Sequence, residues 1–232
     1  MDRSRLQIGD SSIEVHHQGA HLSSWVFQGE ERLFVSRKAL FEPAKAIRGG
    51  VPICFPQFGA FGPGQQHGFA RNVLWQKCES TQPNVLRFQL SHNNDSLMLW
   101  PHEFKAQFNL SLESNSLSMC LSVENVGTKA MAFTAALHTY LRVNAIENAV
   151  VEGLDSCEFW DNGNALTQRK HQDQHELRVD KMVDRVYFNT VKPLSLIEPN
   201  STRLIESQGF ADTVIWNPWR AGACRLVDMA DD

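Results

Sequence analysis

The chain contains no run of about 18 apolar residues, the length a helix needs to cross a bilayer, anywhere in its 232 positions. Its opening, Met1-Asp2-Arg3-Ser4-Arg5, leads into polar sequence without the apolar heart of a secretory signal. A cytoplasmic protein with no membrane partner is expected. Basic residues are outnumbered: 22 Lys and Arg against 26 Asp and Glu leave a formal net charge of -4. Such a surface offers no positive field to a nucleic-acid backbone, so nucleic acid is not expected as a partner. Cysteine is scattered. Cys54, Cys78, Cys120, Cys157 and Cys224 are odd in number and form no Cys-x-x-Cys pair. That argues against a disulfide framework and a zinc site, and for reduced thiols in small, buried apolar roles. Gly-x-Ser-x-Gly, P-loop and dinucleotide glycine fingerprints are missing too, which removes serine hydrolases, NTPases and Rossmann oxidoreductases. No stretch of roughly a dozen residues keeps a helical apolar period, and no internal repeat or linker divides the chain.

What is present is the punctuation of strands. Between Leu6 and Val35, short apolar pieces are broken by Gly9-Asp10, Gly19 and Gly29-Glu30, the pattern of a β-meander. His16, His17 and His21 fall here without a carboxylate or cysteine at ligand spacing, so they read as surface or edge-strand histidines. Phe104, Ala106, Phe108, Leu110 and Leu112 alternate with polar neighbours, and after Ser114-Asn115-Ser116 so do Leu117, Met119, Leu121 and Val123. This period of two predicts an antiparallel hairpin with one face in the core. Met131 to Val143 is mostly apolar, and within it Leu137 to Val143 is short enough for a buried strand, with a helix turn as the alternative that period does not exclude; Asp161 to Val179 reads as exposed loop and edge strand, and Asp184-Phe188, Leu194-Ile197 and Ala211-Trp219 as further strands. After Asn217-Pro218 the chain is expected to trail. The fold class is all-β, a single antiparallel β-sandwich domain over residues 1–232 with two sheets face to face.

One stretch is built differently. Ile47-Arg48-Gly49-Gly50-Val51-Pro52-Ile53-Cys54-Phe55-Pro56-Gln57-Phe58-Gly59, followed by Gln66-His67-Gly68-Phe69-Ala70-Arg71, is an apolar, glycine- and proline-constrained loop with an arginine at each end. Arg48 and Arg71 each carry a planar fork of donors suited to phosphate or carboxylate; the plainer reading of either is a surface or ion-pair residue. His138, between Leu137 and Tyr140-Leu141, is either a satisfied core histidine or a group that exchanges a proton near neutral pH. Asp184 before Arg185 is either half of a local ion pair or a carboxylate for sugar hydroxyls. Trp216 and Trp219 suit a sugar platform but read first as core.

Arg48-Gly-Gly-Val-Pro-Ile-Cys-Phe-Pro-Gln-Phe-Gly59, Gln66-His-Gly-Phe-Ala-Arg71, Leu137-His-Thr-Tyr140, Asp184-Arg-Val-Tyr187 and Val214-Ile-Trp-Asn-Pro-Trp219 resemble the D-hexose-6-phosphate mutarotases, or glucose-6-phosphate 1-epimerases, of the aldose 1-epimerase superfamily. The resemblance runs in order from about Gly19 to the C-terminus. It implies a large antiparallel β-sandwich of the galactose-mutarotase type that interconverts the α and β anomers of a phosphosugar without metal or organic cofactor. By the same resemblance Arg48, Gln66 and Arg71 contact the sugar phosphate, His138 is the acid at the ring oxygen, Asp184 binds substrate, and His67 is a lesser sugar contact. Met182-Val183 stand where the family commonly has Glu-Thr. The family's base is a glutamate on a strand beyond an aspartate-rich turn like Asp228-Met-Ala-Asp-Asp232, and no residue here matches it. The chain as written is thus expected to be a truncated form with little activity. Two other readings stand beside this one: a non-catalytic phosphosugar-binding module, and a mutarotase of unphosphorylated sugars.

Overall fold

A computed structural model describes residues 1–60, 62–162 and 166–229. Ala230 to Asp232 of the aspartate-rich turn, and residues 163–165 of the polar stretch, lie outside them. The chain sorts into two compact units, Met1–Arg142 and Val143–Asp232.

In the first unit, strands β1 (Arg3–Ile8), β2 (Ser11–His16), β3 (His21–Phe27) and β4 (Glu30–Glu31) form the expected antiparallel meander in sequence order. The short strand β5 (Ile53–Cys54) follows. A second sheet then lines up β6 (Gln76–Cys78), β7 (Val85–Ser91), β8 (Phe104–Leu112) and β9 (Leu117–Asn125). Helix α1 (Asn94–Leu99) joins β7 to β8, and a reciprocal capping box between Asn93 and Ser96 starts it. The predicted hairpin is β8 and β9, with Phe108 opposite Leu121. Strict alternation buries Phe104, Ala106, Phe108, Leu110 and Leu112 completely, because a strand presents every second side chain to the same side. They share one cluster with Ile13, Val15 and Leu22 of the first sheet, so the two sheets face each other across a common core.

The second unit repeats the device. Its strands are β11 (Val150–Glu152), β12 (Glu158–Asp161), β13 (Leu166–His171), β14 (Glu176–Arg178), β15 (Val183–Tyr187), β16 (Leu194–Glu198), β17 (Ser201–Ile205) and β18 (Thr213–Asn217). Strand β10 (Ala136–Leu137), still in the first unit, pairs with β5. The second unit's sheets run β14-β11-β16-β17 and β13-β12-β15-β18. Leu154, Phe159, Leu177, Tyr187 and Leu194 form the core there. Each unit therefore has its own facing pair of sheets, where alternation alone suggested one pair for the chain.

Several local expectations are corrected. Met131 to Val143 is not a continuous buried strand: only Ala136–Leu137 is assigned as strand, Leu141 adds an isolated bridge to Leu33, and the residues are of intermediate exposure or exposed. A continuous apolar run carries no period, so it could not show which residues face inward. The polar stretch supplies β13 and β14, both edge strands as read. After Asn217-Pro218 the chain turns into a short helix, α2 (Trp219–Ala223), instead of trailing. His16 and His21 are buried, not superficial, while only His17 is intermediate. Of the cysteines Cys54 alone is fully buried, and Cys120 and Cys224 are exposed. Trp216 and Trp219 are of intermediate exposure and lie outside the fully buried core.

Candidate active site

The constrained loop and the His138 segment are fastened together backbone to backbone. Ala136 and Leu137 pair with Cys54 and Ile53. The pairing continues where no strand is assigned: the His138 amide donates to the Pro52 carbonyl at 3.0 Å and the Tyr140 amide to the Gly50 carbonyl at 2.8 Å. On the other side, the Gly50 amide donates to Phe34 O at 2.7 Å and Ser36 N–H to Arg48 O at 3.0 Å. Gly50 has φ 58°, and a Cβ there would collide with the Leu22 carbonyl and the His21 ring. The glycine is what lets the loop lie this close to β3.

The second motif is locked just as firmly. Gly68 has φ 66°, and a Cβ would strike the Phe55 carbonyl. That same carbonyl accepts from both the Phe69 and Ala70 amides at 3.1 Å. A single 3-10 turn, Ala70–Asn72, carries Arg71, and the Trp75 indole N–H closes on Ala70 O at 2.9 Å. Between the motifs, the buried Gln57 side chain donates to Gly59 O at 3.2 Å and accepts from Gly64 N–H at 2.9 Å, holding the loop from inside. The sequence reading gave Gln57 no role, since its signal was only that it stands within the motif.

Four of the six singled-out side chains thereby share one electrostatic neighbourhood. Arg48 Nη1 donates to the Tyr140 hydroxyl at 3.2 Å. The Tyr140 ring stacks on His138, with centroids 4.7 Å apart and 17° between planes. His67 meets His138 edge-on at 5.9 Å, and its Nδ1 accepts from Gly59 N–H at 3.2 Å, which leaves the ring proton on Nε2. Arg71 Nη2 donates to the Gln66 carbonyl at 3.1 Å, while Arg71 Nε is buried with no acceptor among the described residues. Gln66 itself is exposed and anchors Arg71 through its backbone.

Burial and the two guanidiniums act in the same direction on the imidazoles. His138 is pushed down to about 4, chiefly by burial and further by Arg71 and Arg48, against a backbone hydrogen bond that acts the other way. His67 also falls to about 4, through burial, then Arg71, His138 and Arg48. Both rings are neutral at pH 7. Burial raises the Tyr140 phenol, with Arg48 opposing, and lifts Cys54 to about 11, with Arg71 opposing. Arg71 is pulled down by burial, and the charges that act on it are Cys54, Tyr140 and Arg48, with no carboxylate among them. The result is a positively charged niche of neutral proton carriers, suited to an anion that carries an exchangeable proton.

Asp184 belongs to the second unit, on β15 opposite Trp216 of β18. It does not pair with Arg185, because consecutive strand residues point to opposite faces. Arg185 instead sits 4.0 Å from Asp161 and donates to Gln172 at 3.3 Å. Asp184 accepts from Asn162 at 3.4 Å, and burial raises its pKa against that bond.

A profile of the aldose 1-epimerase family matches residues 2–231. The chain belongs to that family. It is 35% identical to a candidate glucose-6-phosphate 1-epimerase of Cenchrus ciliaris, over 94% of this chain and 70% of that protein. It is 34% identical to a protein of the same name from Escherichia coli K12, over 93% of this chain and 74% of that protein. Among solved structures, a candidate mutarotase from Salmonella typhimurium superimposes with a TM-score of 0.87 at 31% identity, over 99% of this chain and 82% of that one. The family's fold is thus the all-β sandwich expected from the motifs, and the chain is an aldose 1-epimerase-type enzyme.

Proposed function

We propose that this enzyme interconverts the α and β anomers of a D-hexose 6-phosphate, acting as a glucose-6-phosphate 1-epimerase. The observation that carries this reading is the convergence of Arg48 and Arg71 on the neutral His67–His138 pair. The names of the relatives in Cenchrus ciliaris and Escherichia coli support the same substrate class. Arg48 and Arg71 hold the phosphate, and the buried Arg71 Nε is one donor with an acceptor to gain. Gln66 and His67 lie in the same loop as further contacts, and Asp184, half-buried with a raised pKa, suits a sugar hydroxyl.

Mutarotation opens a cyclic hemiacetal. A base removes the anomeric hydroxyl proton, the C1–ring-oxygen bond breaks, and an acid delivers a proton to the ring oxygen. Rotation about C1–C2 and closure from the other face reverse these transfers and return both protons. His138 is the acid in this reading. A dianionic phosphate between the two arginines offsets their field and raises the imidazole's proton affinity, while the larger effect, burial, persists.

Magnetisation-exchange NMR on glucose 6-phosphate, with glucose as control and the spontaneous rate subtracted, tests the proposal. Acceleration confined to the phosphosugar supports the reading and means that the base it requires is among these 232 residues. Equal acceleration of glucose identifies a mutarotase of unphosphorylated sugars, and binding without exchange identifies a binding module or a base outside these residues.

A further inference from the structure

We infer that Tyr140 is a positioning residue that couples the phosphate-binding arginine to the proton-transferring histidine: its hydroxyl aims Arg48 and its ring fixes the plane of His138. The inference rests on the function proposed above. Residues 138 and 140 stand two positions apart, and their stacked rings show that both side chains leave on the same side. Their amides are pinned to Pro52 and Gly50, two residues apart on the facing loop and just past Arg48. A side chain at 140 therefore reaches the Arg48 guanidinium on one side and the imidazole on the other. Tyr140 does both, accepting from Arg48 Nη1 at 3.2 Å and stacking on His138 at 4.7 Å. Its phenol is held neutral, which suits an acceptor for a guanidinium. The Tyr140 carbonyl is tied in turn to the Phe34 amide at 2.9 Å, and the Phe34 ring lies 6.5 Å from the phenol ring, so the residue is fixed from behind.

The two roles separate by substitution. Tyr140→Phe keeps the stacked ring and removes only the oxygen that accepts from Arg48. KM for glucose 6-phosphate should rise about tenfold, the scale of one hydrogen bond to a charged group, with kcat falling far less. Inorganic phosphate, titrated against the His138 Cε1–H NMR signal, should bind more weakly by about the same factor. Tyr140→Leu removes the ring as well, and kcat should drop by a further factor of about ten as the imidazole loses its fixed plane. In that variant the His138 titration should move up from about 4 toward the ordinary histidine value as water reaches the ring face. In Tyr140→Phe it should stay in place.

A tyrosine that merely fills space predicts something else: Tyr140→Phe indistinguishable from wild type in KM and phosphate affinity, and Tyr140→Leu altered only in melting temperature. Either result overturns the inference. If wild type binds phosphate but exchanges no anomers, the functional reading fails while the phosphate titration of Tyr140→Phe still decides the Arg48 half. A wild-type chain that binds no phosphate overturns both. If Tyr140→Leu does not fold, the Tyr140→Phe measurements decide alone.

Discussion

The two units use the same scaffold but treat buried charge differently. In the second unit Glu198 and Asp161 each face a cation. Glu198 takes Arg203 at 2.6 Å and the Asn144 amide at 2.7 Å. Asp161 faces Lys170 at 3.8 Å and Arg185 at 4.0 Å, and Tyr187 donates to Gln172 at 3.0 Å. In the first unit, Arg71 faces no carboxylate and has a buried Nε without an acceptor among the described residues, and His16, His21, His67 and His138 are held below their ordinary range. Compensated charge holds a fold together, whereas positive charge gathered against neutral acids and bases is poised for an outside partner. Asp184 is the second unit's exception, a carboxylate made reluctant to ionise.

Four measurements sharpen that contrast. The largest effect should come from the first unit's core: Phe108→Ala, at a site with no exposure, should cost about 3–5 kcal/mol in urea denaturation. A loss under 1 kcal/mol would show that the facing sheets do not carry the unit's stability.

Next, His138→Ala should lower kcat for glucose 6-phosphate exchange by about a hundredfold or more, the usual contribution of a positioned acid. In wild type, saturating phosphate should raise the His138 titration from about 4. Unchanged titration would break the electrostatic account of the two arginines.

A smaller effect concerns pH. His21 is fully buried and held near 3, so the folded state refuses a proton that the unfolded chain accepts below 6.5. Stability from this group is complete above 6.5 and falls as pH drops toward 3, by up to about 1.4 kcal/mol per pH unit. Asp184 has the opposite sign: its raised pKa means stability declines as pH climbs above the ordinary aspartate value of 3.8. Hydrogen exchange between pH 4 and 7 should therefore show the first unit loosening first in acid, and replacing His21 by Leu should flatten that slope.

The smallest effect belongs to Leu204, 63% exposed on β17, where Leu204→Ala should change stability by less than about 0.5 kcal/mol. A greater loss would mean that this face is covered.

Much of the framework was readable because its signals are local. The alternation through Phe104–Leu112 and Leu117–Val123 fixes strand and buried face together, and the structure shows both. The glycines of the Arg48–Arg71 stretch announced a loop pressed against other backbone, as Gly50 and Gly68 show. Where local signals were mute the reading went astray. Met131–Val143 has no period to say how it packs, and the burial of His16 and His21 depends on neighbours distant in sequence. For His21 that neighbour is Gly50, whose lack of a Cβ makes room for the ring. The ion pair read from adjacent Asp184 and Arg185 ignored that neighbours on a strand point apart.

The sequence by itself determined the all-β class, the meander, the central hairpin and the loop with an arginine at either end, since periodicity and backbone permissiveness are properties of neighbouring residues. Only the tertiary structure decided that Arg48, His67, Arg71 and His138 share one niche, that both imidazoles are neutral there, and that Tyr140 bridges Arg48 to His138. Those facts depend on desolvation and on contacts between residues 92 positions apart, and no short-range pattern encodes either.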